Sequence, residues 1–489
     1  MFAPIEDVYR LAPELVLCAF GIVVMLAEPY VSRARRGVLA TLALLGAGLA
    51  LAATRLAAAY PGTAFSGVMR IDSFSIFLHW VIGAVTVLVI LGSTDYLERE
   101  NLQRGEYYAL VLFAAAGMDV MAGAQELVTA FIGLEMSSIS SYILASFRRN
   151  SPKSNESAMK YFLLGSFATA FFLYGVAMVY GAAGTTRLDA LREAIATGKA
   201  SGALLMLGLG MMFVGLAFKV ATAPFQIWTP DVYEGAPAPV TALLSSGPKA
   251  AAFGLLLRIL FVAFDTADNT WLWVIWISAA LTMFVGNLAA LVQTNLKRML
   301  AYSSIAHAGY ILVAIAAVSG AQDDAHNELG IAAVLFYLTA YALMKLGAFT
   351  MVAHLGGPGE RRLEINDYAG LASQQPVAAA CLTLYLFSLL GLPVTAGFLG
   401  KFYVFDAALR SRLVWLAVLL AINTVIGAYY YLRVIVVMYM REPEQEWAQT
   451  PIPGAVALVL LLTAAGTLYL GLFPGAVMAF ATQSAQSLR

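Results

Sequence analysis

The chain has 489 residues, of which 61% are hydrophobic and 12% charged, against roughly 45–50% and 25% in soluble domains. That excludes a soluble globule, and so apolar a chain does not stay disordered in water. Its 29 basic residues cancel its 29 acidic ones, so no net field favours nucleic acid.

A membrane-spanning helix needs about 20 mostly apolar residues. In chain order such segments fall at 9–30, 37–57, 72–93, 107–123, 125–147, 157–182, 202–223, 238–264, 270–293, 299–319, 328–354, 376–406, 411–440 and 452–482. The fold expected from them is an all-α integral membrane protein of about fourteen transmembrane helices, one polytopic domain over residues 1–489. The start, MFAPIEDVYR, carries Glu6 and Asp7 and no basic region, so the first segment is expected to be retained and not cleaved as a signal peptide. Loops after odd-numbered segments hold thirteen Lys and Arg, among them Arg33, Arg35, Arg148 and Lys153, and loops after even-numbered segments hold seven. Basic residues resist export, so both termini are expected on the outer face.

Two landmarks recur at one offset. SSISSYILA begins at Ser137 in segment 5 and SSIAHAGYILVA at Ser303 in segment 10, 166 residues later. Segment 7 meets Pro224 and segment 12 meets Pro393, 169 residues later. The offsets suggest a five-helix unit used twice, segments 4–8 (107–264) and 9–13 (270–440), after N-terminal segments 1–3 (1–106) and before segment 14 (452–482). An odd number of helices per unit inverts the second copy, and inverted repeats with broken helices build ion sites near the bilayer midplane.

Ionisable residues inside apolar runs cost about 3 kcal/mol on translocon scales and face hydrated or paired interiors. Five of the eight lysines lie there, Lys160, Lys219, Lys249, Lys345 and Lys401. Lysine sheds its proton when desolvated, as arginine does not, so buried lysines can pass protons. Glu135 lies in FIGLEMSSISSY, and Lys219 lies five residues before the break at Pro224; together they form either a charge switch or a static brace. Lys249 follows Gly247-Pro248, and His307 sits among hydroxyls in YSSIAHAGY. Lys249 can also snorkel, and His307 can be satisfied by a carbonyl. Lys401 follows the break in segment 12, with Lys345 as a weaker companion, while Lys160 can snorkel. Asp231 and Glu234 in the segment 7–8 loop are a water-facing mouth or a capped turn, the turn being favoured for Asp231. Cys18 and Cys381 lie far apart, and the four histidines lack a paired helical spacing, so no metal or haem centre is expected.

GLAFKVATAPFQIWTPDVYEGAPAPVTALLSSGPKAAAF, with LEMSSISSYILASFRR upstream and NLKRMLAYSSIAHAGYILV downstream, closely resembles the subunit N family of proton-pumping NADH:quinone oxidoreductase, respiratory complex I. The likeness covers nearly the whole chain. The related subunits L and M usually carry a more His-rich helix 7–8 loop than DVYEGAPAPV, and subunit M tends to have a glutamate where this chain has Lys401. The resemblance implies a subunit of a proton-translocating NADH:quinone reductase in a bacterial inner membrane, with K- and M-type subunits as neighbours and a peripheral arm beyond them. It implies no cofactor in this chain, since NADH, FMN, iron–sulfur clusters and quinone belong to other subunits. It also implies a proton relay through Glu135, Lys219, Lys249, His307 and Lys401. A subunit of a multi-subunit cation/proton antiporter and a membrane scaffold are the alternatives.

Overall fold

A computed structural model describes residues 4–32, 35–200, 202–264, 270–319, 324–443, 447 and 451–488. Arg33 and the extreme termini, which entered the orientation expected above, lie outside them. The main helices run α1 (Ala12–Ala27), α2 (Gly37–Ala58), α3 (Ser73–Arg99), α4 (Gly105–Gly123), α5 (Leu127–Ala145), α6 (Pro152–Ala183), α7a (Ala203–Val220) and α7b (Trp228–Gly235). They continue with α8 (Ala238–Arg258), α9 (Thr270–Leu291), α10 (Leu296–Ser319), α11 (Asp324–Leu355), α12a (Pro376–Leu390), α12b (Ala396–Arg410), α13 (Val414–Met440) and α14 (Gly454–Leu472). Among the described residues, twelve helices are long and apolar enough to cross a membrane. The helix α4 falls outside that set, its apolar run diluted by Glu106, Tyr107, Tyr108 and Asp119, and each half of α12 is too short. Segment 14 also stops early: α14 ends at Leu472 and a separate helix, Gly475–Ser487, follows Pro474.

The breaks follow from backbone chemistry. Pro224 cannot donate a backbone hydrogen bond or continue a helix, and α7a ends at Val220 with Ala221 in the left-handed region at φ 63°. Trp228 Nε1 then donates to the carbonyl of Phe218 at 2.9 Å, satisfying one oxygen of that end. Pro248 lies inside α8. Its missing N–H leaves the carbonyl of Leu244 without a helical partner, and the Tyr233 hydroxyl donates to it at 3.3 Å. The division between α4 and α5 at residues 124–126 is fixed by two isolated bridges, Met69 with Ala124 and Glu126 with Arg187. A two-stranded antiparallel ribbon, β1 (Gly62–Ala64) and β2 (Met69–Ile71), pairs Gly62 with Ile71 between α2 and α3.

Helices α8 and α10 form the centre. The apolar window of α8 is wholly buried and that of α10 nearly so, whereas α1 and α14 bury only about a third of theirs. Outer helices present Leu, Ile, Val and Phe outward, as surfaces do when the solvent is lipid. The central helices instead bring polar side chains together.

Candidate proton relay

Lys219 sits in the last turn of α7a, where the helix dipole favours a cation. It is 4% exposed, and its Nζ donates to Ser138 Oγ at 2.9 Å and to Tyr161 OH at 3.4 Å. Ser138 stands one turn beyond Glu135 on the same face of α5. Lys219 and Glu135 therefore share a neighbourhood, but no ion pair of 4.0 Å or less joins them among the described residues, and the buried Oε1 of Glu135 accepts no hydrogen bond. The Lys219 ammonium is held by the Ser138 and Tyr161 hydroxyls, not by a direct pair with Glu135.

Lys249 follows Pro248 into the bundle centre. Its Nζ donates to Ser304 Oγ at 2.6 Å and to the Ser304 carbonyl at 2.9 Å. The same Ser304 hydroxyl accepts from Tyr341 OH at 2.6 Å and lies 3.4 Å from Tyr233 OH. One residue earlier, Ser303 Oγ accepts from Lys345 Nζ at 3.0 Å and lies 2.6 Å from Tyr431 OH. Tyr431 OH also lies 3.2 Å from His307 Nε2, whose Nδ1 is 2.7 Å from Tyr337 OH. Lys345, Ser303, Tyr431, His307 and Tyr337 thus form an unbroken hydrogen-bonded chain, with the Lys249–Ser304–Tyr341 group beside it.

Lys401 closes the row. Its Nζ donates to the carbonyls of Leu389 and Leu390 at 3.1 and 2.8 Å, which are the free oxygens at the C-terminus of α12a. The interruption at Pro393 thus builds a cation site from the broken helix itself. The ammonium also stands 4.9 Å above the Tyr310 ring, and Tyr310 packs edge-on to His307 with ring centroids 5.4 Å apart.

The structure gathers Lys249, Lys345, His307 and Lys401 into one neighbourhood, with Glu135 and Lys219 as a second group. Lys160 stands apart: its side chain is 42% exposed and pairs with Asp231 and Glu156, each at 2.7 Å. Asp231 and Glu234 also pair with Arg298, at 2.6 and 3.1 Å, and this cluster lines an open recess of about 200 Å³. Among the described residues no group of three or more His, Cys, Asp or Glu is arranged to hold a metal ion.

Residues 124–427 match the family model described as NADH:quinone oxidoreductase/Mrp antiporter, TM. The curated protein "NADH-quinone oxidoreductase subunit N 1" of Solibacter usitatus is 48% identical over 485 residues, covering 99% of this chain and 98% of that one. The chain belongs to the subunit N family of NADH-quinone oxidoreductases. It is similar to a chain of respiratory complex I from Thermus thermophilus, solved with bound aureothin, at 35% identity and a TM-score of 0.80, covering 96% of this chain and 98% of that one. A chain of the Mrp complex from Dietzia sp. DQ12-45-1b shares the fold, with a TM-score of 0.85 at 22% identity over 99% of this chain and 98% of that one.

Within this subunit N family member, reading of the sequence missed the tyrosines that join the stations. Tyr337, Tyr341 and Lys345 recur at four-residue spacing on α11, a helical face that was available as a signal. Tyr431 lies on α13, far away in sequence, and nothing local marks it. Arg258, at the end of α8, is fully buried, donating to both carboxylate oxygens of Asp72 at 3.0 and 2.9 Å. Lys297 is likewise buried on Glu360 at 2.8 Å. Glu360 lies in the loop after α11, where Tyr96 OH and the Ala238 amide also donate to it, at 2.7 and 2.8 Å. Burial pushes its carboxyl up, but the Lys297 ammonium and these donors outweigh burial and hold it below its ordinary value.

Proposed function

We propose that this chain is the proton-translocating subunit N of a bacterial complex I, moving protons through Glu135, Lys219, Lys249, Lys345, His307 and Lys401. The observation that carries the reading is the hydrogen-bonded chain from Lys345 to Tyr337 at the centre of the bundle, flanked by Lys249 and Lys401. Four buried lysines and an imidazole in one apolar bundle are costly to keep unless they are used, and groups so close titrate together. A charge change at the Glu135–Lys219 group raises or lowers the affinity of Lys249 for a proton, and the hydroxyl chain passes that change toward Lys401.

In this reading the redox chemistry stays in other subunits of the complex, which hold the flavin, the iron–sulfur clusters, NADH and quinone, and this chain holds no cofactor. The neighbours are K- and M-type membrane subunits, the termini face the periplasm, and the two broken helices belong to inverted five-helix repeats, 107–264 and 270–440. The shared fold with the Mrp complex chain supports an antiporter subunit as the second reading.

Purification in mild detergent through a tag on this chain, followed by a native gel stained for NADH dehydrogenase activity, separates the two. Activity co-migrating with the tagged chain in one large assembly is expected. A smaller complex without NADH activity, exchanging sodium for protons in vesicles, overturns the proposal in favour of the antiporter.

A further inference from the structure

A second set of buried titratable groups lies outside the relay, in the N-terminal helices. Glu14 stands in the first turn of α1, His79 two turns into α3, and Asp119 near the end of α4. All three lie toward the end of the bundle where α1 and α3 begin. They are 4%, 1% and 3% exposed. His79 Nε2 lies 3.7 Å from Glu14 Oε1 and 3.2 Å from the Asp119 carbonyl.

The polar atoms of this group are unspent. Neither carboxylate oxygen of Glu14, nor Oδ1 of Asp119, nor Nδ1 of His79 has a hydrogen-bond partner among the described residues. An ionised carboxylate buried without donors pays a desolvation penalty of several kcal/mol, and two of them in one pocket repel each other as well. The arrangement is stable when a proton is taken up, because a protonated carboxyl removes the charge and gains a donor for a neighbouring oxygen or the imidazole.

The charged groups facing the cluster set its access. Asp72 caps α3, accepting from the Ser75 amide at 2.8 Å, and is held in its bidentate pair with Arg258. Arg70 lies 3.4 Å from Asp72 on the outer side. Cys18 stands one turn after Glu14 on α1. Asp72 sits seven residues before His79, about 10 Å along the helix at 1.5 Å per residue. A buried ion pair therefore stands roughly two turns above the cluster, at the membrane end where α3 starts.

We propose that Glu14, His79 and Asp119 form a proton-holding site separate from the central relay, exchanging with the face where α1 and α3 begin. Loading forms one O–H bond on a carboxylate from a proton delivered by water, and unloading breaks it, with no change in oxidation state. The ligand is an excess proton shared between the two carboxyls and the imidazole.

The test is infrared difference spectroscopy on the assembled complex in lipid nanodiscs, stepping pH and exchanging water for D₂O. Wild type is expected to show the C=O stretch of a protonated carboxyl near neutral pH, shifting down in D₂O. Glu14→Gln and Asp119→Asn are each expected to lose part of that band, and the pair to lose it altogether. A band unchanged in both variants, or no protonated-carboxyl band at all, overturns the proposal. So does a band from these residues that fails to shift in D₂O, which describes a sealed, static acid. If a variant does not assemble, Glu14→Asp and Asp119→Glu keep an acid at each place and are each expected to shift the band's frequency; a band unmoved in both overturns the proposal. None of these readouts depends on pumping, so they stand apart from the relay proposed above.

Discussion

Replacing Tyr431 by Phe removes one hydroxyl and keeps the ring. That hydroxyl is the only protein atom bridging Ser303 Oγ, at 2.6 Å, and His307 Nε2, at 3.2 Å, among the described residues. The loss leaves His307 Nε2 without a partner and Ser303 Oγ with Lys345 alone, costing about 1–3 kcal/mol of stability, unless a water enters. A water that takes the vacated place is ordered at a cost of up to about 2 kcal/mol, which at about 1.4 kcal/mol per decade slows transfer by up to roughly 30-fold. The assay is proton uptake or release by complex I in proteoliposomes during NADH oxidation, with electron transfer to an artificial acceptor measured in parallel. Pumping is expected to fall while the artificial-acceptor rate holds. Tyr385→Phe is the control: its hydroxyl donates to the Leu460 carbonyl at 2.9 Å, away from the lysines, and pumping is expected at the wild-type rate. Combining Tyr431→Phe with Ser303→Ala is expected to add little, since both cut one link. Wild-type pumping in Tyr431→Phe, or equal losses in Tyr431→Phe and Tyr385→Phe, refutes a hydroxyl-borne path.

Other expectations follow from ion pairs away from the relay. Arg258→Met removes the bidentate partner of Asp72, leaving it Arg70 at 3.4 Å and the Ser75 amide, and is expected to cost up to about 3–5 kcal/mol, seen as loss of assembled complex on a native gel, with partial recovery on adding Asp72→Asn. Glu360 is held below its ordinary carboxyl value, so its contribution is complete above the normal glutamate range and is lost as pH falls through the lowered value; thermal melts are expected to show acid destabilisation that Glu360→Gln reduces, and an identical pH profile contradicts this. Asp231→Asn breaks pairs that are about one-third exposed, worth about 0.2–1 kcal/mol each, so a melting shift of at most a few degrees with pumping retained is expected.

The sequence announces the helices because lipid demands long apolar runs, and it announces Lys219 and Lys401 because both adjoin a proline break. It does not announce helix rotation. Glu135 lies on α5 and Lys219 on α7a, and it takes the packed bundle to show the Lys219 ammonium reaching Ser138, one turn from Glu135. Lys345 reads as a minor lysine in ALMKLGAF, yet the bundle buries it completely against Ser303 and the Leu300 carbonyl. Glu14, His79 and Asp119 carry no local signal because three helices, distant in sequence, must pack before they meet. Arg258 at the end of α8 looks like a residue able to reach water, and only the cap at Asp72 reveals why it stays inside.

Lys219→Ala is the most direct test of proton movement through this bundle. In reconstituted complex I the substitution is expected to abolish most proton translocation coupled to NADH oxidation while electron transfer to an artificial acceptor in the peripheral arm continues. Full pumping in an assembled Lys219→Ala complex contradicts the relay, and losses confined to assembly leave the chain as a scaffold.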